Sequence, residues 1–367
     1  MKFYTKWVAV VLIVFTLGCK ETPEEPGLSL PTNLETTLIE DNAKKGLVKA
    51  SISADNANYY QIWFELPNGE FEEGVMNGGE SQFTYYDSGM YVVKFRAHVT
   101  DRDFSEVIDS IHIVFKEPSI NDGYTTPKNY PGYNLVWADE FEGNMLDETS
   151  WTYETGRGEW GWGNNELQYY QSGTNNCTVE NGLLTITAKA QAAGDANYTS
   201  ARIKTQGKRE FKYGRIDIRA RLPKTQGLWP ALWMLGADFG TEGWPACGEI
   251  DIMELVGHLP KEVFGTAHWG STAPSKSHSR KYRLTDGNDF SDSFHVFTLL
   301  WEENNLKWLV DDKQYNELAY NNTFPFNDDF FFIFNVAVGG QLPGNPDATT
   351  RMPQSMQVDY VRVFQPQ

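Results

Sequence analysis

The segment Gly248-Glu249-Ile250-Asp251-Ile252-Met253-Glu254 sets three carboxylates among apolar residues. Glu249 and Asp251 stand two apart, the period of a half-buried strand, so both leave one face while Ile250 and Ile252 enter the other. Strict alternation sends Glu254 to the wrong face, and a one-residue bulge at Ile252–Met253 returns it. At about 3.3 Å per residue, the outer glutamates start about 13 Å apart at their α-carbons. Leaning inward, their carboxyls can approach to about 5 Å, a separation suited to double displacement at an acetal carbon. One carboxylate then attacks while the other donates and later takes a proton. Single displacement by water needs more room, about 6.5–9.5 Å. Three acids on one strand face repel, and an ordinary exposed strand would interleave Lys or Thr. Such clusters persist mainly where function uses the pKa shifts they create.

The 367 residues that must position these acids carry a formal net charge of -18. That length suggests two or three domains. The charge argues against a nucleic-acid partner, whose phosphates need a basic footprint. Ten of the twelve tryptophans follow Val136, which suggests a cleft where flat rings meet the C–H faces of sugars, with core packing as the competing use. Neither Cys-x-x-Cys nor His-Glu-x-x-His occurs, so no zinc pattern is present. Cys247, two residues before Glu249, is expected to be buried on the acid-bearing side rather than reactive.

Residues 1–19 read as a signal peptide. Trp7–Leu17 is apolar but too short to cross a bilayer. The run ends in Thr16-Leu17-Gly18-Cys19 and resembles a bacterial lipoprotein signal with Cys19 as the lipidated residue. This implies an outer-membrane or cell-surface lipoprotein whose only membrane contact is its anchor, with a plain secreted protein as the alternative. Residues 20–32 form a Pro/Glu tether. Residues 33–115 hold short alternating runs between turn signals such as Pro67-Asn68-Gly69, the pattern of a small β-sandwich. The Tyr86–Val93 run resembles polycystic-kidney-disease-type, immunoglobulin-like modules, and a spacer is favoured over a glycan-binding module. Residues 116–132 read as a linker. Residues 133–367 are dominated by strands, among them Leu183–Lys189, Gly214–Leu222, Glu249–Val256 and Phe330–Val338, which implies one large all-β sandwich or barrel.

The C-terminal region resembles family 16 glycoside hydrolases, specifically the laminarinase-like endo-β-1,3-glucanases. The likeness is carried by Trp137-Ala138-Asp139-Glu140-Phe141, Gly163-Asn164-Asn165-Glu166-Leu167-Gln168, Leu228-Trp229-Pro230-Ala231-Leu232-Trp233, Gly243–Glu254 and Asn335–Gly340. It implies a β-jelly-roll sandwich of concanavalin A-like type and retaining hydrolysis of β-1,3-glucan, with mixed-linkage β-1,3/1,4-glucan as a side substrate. Glu249 matches the nucleophile, Glu254 the acid/base and Asp251 the residue that tunes them. Two residues between Asp251 and Glu254, rather than one, favour the laminarinase branch over lichenases. Trp229, Trp233, Trp244, Asn164, Arg202 and His268 match substrate-binding positions, and Trp160, Trp162 and Trp269 are candidates for outer subsites. The resemblance also implies a structural calcium on Glu140, Gly182 and Asp359 and no cofactor for catalysis; the sequence is silent on oligomeric state, and a monomer is the default expectation. A red-algal galactan hydrolase of the same family and a non-catalytic β-glucan-binding protein are the alternatives.

Overall fold

The computed structural model describes residues 29–41, 44–85, 88–114 and 119–367. The signal with Cys19, most of the tether, and Tyr86 and Asp87 of the module-like run lie outside the described residues. The chain divides into two compact units, Met1–Glu117 and Pro118–Gln367.

In the first unit, strands Thr32–Glu40, Leu47–Asp55 and Glu80–Thr84 form one sheet. Phe71–Glu73, Tyr59–Glu65, Gly89–His98 and Phe104–Ile113 form the other. Val48, Ala50 and Ile52 alternate inward from one sheet and Tyr91, Val93, Phe95 and Ala97 from the other, closing a single small core. On the outer face of the four-stranded sheet, Lys94 lies 3.6 Å from the Phe71 ring centre, Arg96 lies 4.6 Å from that of Phe104, and Tyr59 stacks on His98. The aromatic faces there are already covered by the unit's own cations and imidazole.

The second unit is two eight-stranded sheets packed face to face around one large core. The sheet that bears the acids runs, edge to edge, Lys276–Arg283, Glu262–Trp269, Glu249–Leu255, Leu228–Gly236, Phe330–Val338, Arg202–Lys204 and Thr152–Glu154, with Glu210–Phe211 also on Phe330–Val338. The opposing sheet includes Gly214–Arg221, His295–Glu302, Asn305–Val310, Lys313–Ala319 and the final strand Gln354–Pro366. Phe330–Val338 is buried at every position, so it reads as a continuous apolar run rather than an alternation. Phe330, Phe332 and Phe334 enter the main core. Phe331 and Ile333 point the other way and join Leu235 and Cys247 in a satellite cluster on the acid-bearing face. Cys247 is therefore buried packing on that side.

The segment expected to be a linker is fastened to the second unit from Ser119 onward. Arg219, almost fully buried, donates to the carbonyls of Ile120, Asp122 and Tyr124. Arg362 donates to the carbonyl of Thr126, and the Tyr130 hydroxyl donates to Asp217. At Gly123 (φ 98°) a Cβ would fall 1.9 Å from the Phe294 carbonyl oxygen, so only glycine permits this approach. The composition of this stretch signals turns, but its carbonyls are what the buried arginines need, and they hold it as a strap.

Candidate active site

Register places the three acids. Pairing along Leu228–Gly236 runs Glu249 to Leu235, Asp251 to Trp233 and Glu254 to Ala231, with a shift that leaves Ile252 as the extra residue. The other neighbour shows the same shift, since Asp251 faces Thr266 and Glu254 faces Phe264 with only Gly265 between. The strand therefore carries the bulge that sends Ile250, Ile252, Met253 and Leu255 into the core. All three carboxylates share the opposite face.

The opposing sheet supports this irregularity from inside the core. Trp308 donates its indole N–H to the carbonyl of Asp251 (2.8 Å), and the Asn316 amide donates to the carbonyl of Gly265 (2.9 Å). A bulge disrupts ladder pairing, so groups that satisfy its carbonyls are worth about 0.5–1.5 kcal/mol each. A Cβ on Gly265 would lie 2.5 Å from the Trp308 ring and 2.4 Å from the Tyr315 hydroxyl, so glycine opposite the bulge is what lets Trp308 in.

Around the acids, Trp229 donates its indole N–H to Glu254 Oε1 at 2.9 Å. His268 Nε2 stands 3.8 Å from Glu249 Oε1 and 3.5 Å from Asp251 Oδ2. The Asp251 Oδ2 atom is buried and accepts no hydrogen bond from the protein. Trp244 is 43% exposed at the rim, its ring 6.3 Å from that of His268, and its side chain hydrogen-bonds Glu249. Burial, with the charge of Glu254 added, lifts Glu249 to about 8 against the opposing Trp244 hydrogen bond and the Arg202 charge. Burial lifts Glu254 to about 7 against the Trp229 hydrogen bond. Asp251, buried between two acids, is raised well above the carboxylate range. Burial lowers the pKa of His268 and favours its neutral form.

Farther along the same face, Trp233 donates to Asn335 Oδ1 at 2.8 Å. The Arg202 guanidinium lies between two indoles, 4.6 Å from the Trp162 ring centre and 4.9 Å from that of Trp233, and pairs with Glu154 at 2.5 Å. Asn164 sits in the Gly161–Asn165 turn, where its carbonyl accepts from the Gln341 backbone and its amide donates to the Trp162 carbonyl. Trp160, in the same loop, is 84% exposed with φ 51°. Trp269 differs from expectation. It follows His268 by one residue, so it faces inward and packs on Phe324 and Phe326, not on the cleft.

The residues expected to hold calcium do not fit one. Arg362 grips both oxygens of Glu140 at 2.6 and 2.8 Å, with Lys128 at 3.0 Å. Arg219 holds Asp359 at 2.6 Å. Arg362 and Lys128 hold Glu140 below the carboxylate range, and Arg219 occupies Asp359, whose burial still keeps it raised, so both carboxylates are already taken by guanidinium groups and Gly182 has no shared cation to bind.

Sequence reasoning gave no role to Glu166, Gln168, Tyr170, Asn335 or Trp308. The first three recur with period two, a signal that they share one face of a short strand. Trp308 carried no such signal, because its partner is a carbonyl on the opposite sheet.

The family described as glycosyl hydrolases family 16 matches residues 162–362. The chain is 42% identical over 280 residues to glucan endo-1,3-beta-glucosidase A1 of Niallia circulans, covering 69% of this chain and 41% of that protein. It is 38% identical to a beta-glucanase of Rhodothermus marinus, covering 64% of this chain and 86% of that one. The laminarinase catalytic domain of Thermotoga maritima superposes with a TM-score of 0.61 at 45% identity, covering 64% of this chain and 99% of that one. This chain thus spans about two fifths of the length of the Niallia circulans protein.

Proposed function

The chain belongs to glycosyl hydrolases family 16, its second unit is a β-jelly-roll sandwich, and on that footing we propose that it is an endo-β-1,3-glucanase acting with retention on laminarin-type glucans. The observation that carries the reading is the bulged strand, which presents Glu249, Asp251 and Glu254 together on one face beside Trp229 and Trp233. A glucan chain lying along that face meets carboxyls from below and indoles at either side.

In the proposed sequence Glu249 attacks the anomeric carbon while Glu254 protonates the departing oxygen. Water, deprotonated by Glu254, then releases the glycosyl-enzyme. Burial and the charge of Glu254 lift Glu249 to about 8, above Glu254 at about 7, so this division requires the coupled pair to place its proton on Glu254. Part of what raises Glu249 is the charge of Glu254, so a protonated Glu254 lowers Glu249 toward ionisation. Trp244 and Arg202 favour the anion at Glu249 as well. Asp251, raised well above the carboxylate range, keeps its proton and spares Glu249 a second like charge.

The first unit is proposed to be an immunoglobulin-like spacer, since its own cations occupy the aromatic faces of the four-stranded sheet. Binding of the isolated unit to insoluble β-glucan in a pull-down would refute this role.

The test is product profiling on laminarin, mixed-linkage β-glucan, agarose and carrageenan, with proton NMR of fresh product. Oligosaccharides from laminarin with the β-anomer formed first are expected. Release from the galactans alone would assign a different substrate, and initial α-anomer would overturn double displacement.

A further inference from the structure

Glu166 is a buried carboxyl that the proposed chemistry does not use. It lies at the end of the loop Gly161–Asn165, with 4% of its surface exposed. The Gln168 amide and the Tyr170 hydroxyl both donate to its Oε2, at 2.6 and 3.2 Å. Tyr170, fully buried, accepts in turn from the Asn335 amide at 3.1 Å. Asn335 accepts at its other end from the Trp233 indole N–H at 2.8 Å. Four side chains thus form one chain of hydrogen bonds from the protein interior to the acid-bearing face.

The direction of this chain is fixed by its ends. An indole nitrogen can only donate, and a carboxylate can only accept. The two groups between them can each turn either way, since a hydroxyl rotates and an amide flips. With Trp233 at one end and Glu166 at the other, only one orientation satisfies every member: Trp233 to Asn335, Asn335 to Tyr170, Tyr170 to Glu166. A second contact stiffens the inner end, because Gln168, which donates to Glu166, accepts from the backbone N–H of Val338 (2.7 Å) on the strand that carries Asn335.

The outer end of the chain reaches the chemistry. Asn335 pairs with Ala231, and Ala231 pairs with Glu254, so these three lie in one row across three adjacent strands. The small alanine leaves the floor between the asparagine and the acid open. Trp233 pairs with Asp251 on one neighbouring strand and with Ile333 on the other, and the Arg202 guanidinium lies over its ring. Glu166 also borders the opposite wall: a Cβ on Gly340 would lie 3.5 Å from Glu166 Cγ and 3.6 Å from the Trp229 ring.

We propose that Glu166 is a positioning residue for sugar binding, the acceptor that orients Asn335 and through it seats Trp233 against the substrate. This rests on the reading that a glucan lies along the acid-bearing face. Glu166→Met keeps the size of the side chain but removes the acceptor at that end. The Tyr170 O–H then finds an acceptor only if Asn335 flips to offer its carbonyl, and the flipped amide would present N–H to the N–H of Trp233. Partially satisfied buried networks of this kind are unfavourable, so the indole shifts away from its seat.

Steady-state kinetics of the full chain on laminarin oligosaccharides test the idea, with melting temperatures measured in parallel and rates taken well below them. In Glu166→Met, KM is expected to rise about tenfold with kcat within about threefold of the parent, the mark of lost uniform binding. Tyr170→Phe removes one oxygen from the middle of the chain and is expected to raise KM about threefold with the same kcat. Should Glu166→Met fail to fold, Tyr170→Phe decides alone. Unchanged KM in the folded variants, or loss of kcat with KM unchanged, would overturn the proposal. Absence of glucan hydrolysis by the parent would instead overturn the assigned function.

Discussion

Buried acids are treated differently by the two sheets of the second unit. On the opposing sheet and its strap, Glu140, Asp217 and Asp359 each have an arginine at short distance, and the Glu140 pair is bidentate. On the acid-bearing strand, among the described residues, no lysine or arginine pairs with Glu249, Asp251 or Glu254. Even on the same face Glu154, beside Arg202 and Lys204, is held below the ordinary range although burial opposes this. The contrast teaches where the fold uses charge to hold itself together and where it leaves charge uncompensated. Paired acids stabilise; the unpaired trio costs stability and keeps protons ready for transfer.

The sharpest way to break this comparison is to remove Glu249, the proposed nucleophile. Glu249→Gln is expected to lower kcat on laminarin by at least about a thousandfold while leaving glucan binding intact, measured by reducing-sugar release and by affinity electrophoresis. Next in size is the paired side. Arg219→Met strands Asp359 and three carbonyls, and is expected to cost about 3–5 kcal/mol in denaturant unfolding with little change in activity of the folded fraction. A loss below about 1 kcal/mol would mean that these pairs are ornamental rather than structural.

The smallest effect is the most diagnostic. Glu249 and Glu254 rise from an ordinary 4.5 to about 8 and about 7, so the native state holds more protons than the unfolded chain across that window. Their contribution to stability is present below the ordinary value and is lost as pH rises through the native values. Glu140 behaves oppositely: burial alone would raise it, but Arg362 and Lys128 bring it down, so its contribution is lost as pH falls. The melting temperature is therefore expected to decline between about pH 5 and pH 8, and the decline to flatten in Glu249→Gln. An equal slope in parent and variant would show that the trio is not the source.

Much of this arrangement was legible beforehand, for definite reasons. The bulge could be read from Ile252–Met253 because period-two alternation leaves Glu254 on the wrong face without it. Phe330–Val338 is visible as an aromatic and β-branched run, and Gly214–Arg221 as alternating Ile and charged residues. Lys276–Arg283 is not, since an exposed edge strand of Lys, Ser, His and Arg has no apolar alternation to reveal it. Leu228–Gly236 stands out in the sequence as a motif and not as an alternating strand, and its Pro230 lacks the N–H a central strand usually needs, yet it lies at the centre of its sheet. The calcium expectation failed because ligand matching alone does not reveal that Arg219 and Arg362 come across from neighbouring positions to the same carboxylates. Glu166 went unread because its role lies in the direction of bonds it ends, which no residue type displays by itself.

The strap from Ser119 to Gly132 also decides where the second unit can be excised. The family match begins at residue 162 and the first strand of the unit at Tyr133. A fragment begun at either point would strip Arg219 of three carbonyl acceptors and Arg362 of one, leaving guanidinium groups in dry seats with donors unused. A shortened enzyme that keeps its final strand in place has to start upstream of Ser119.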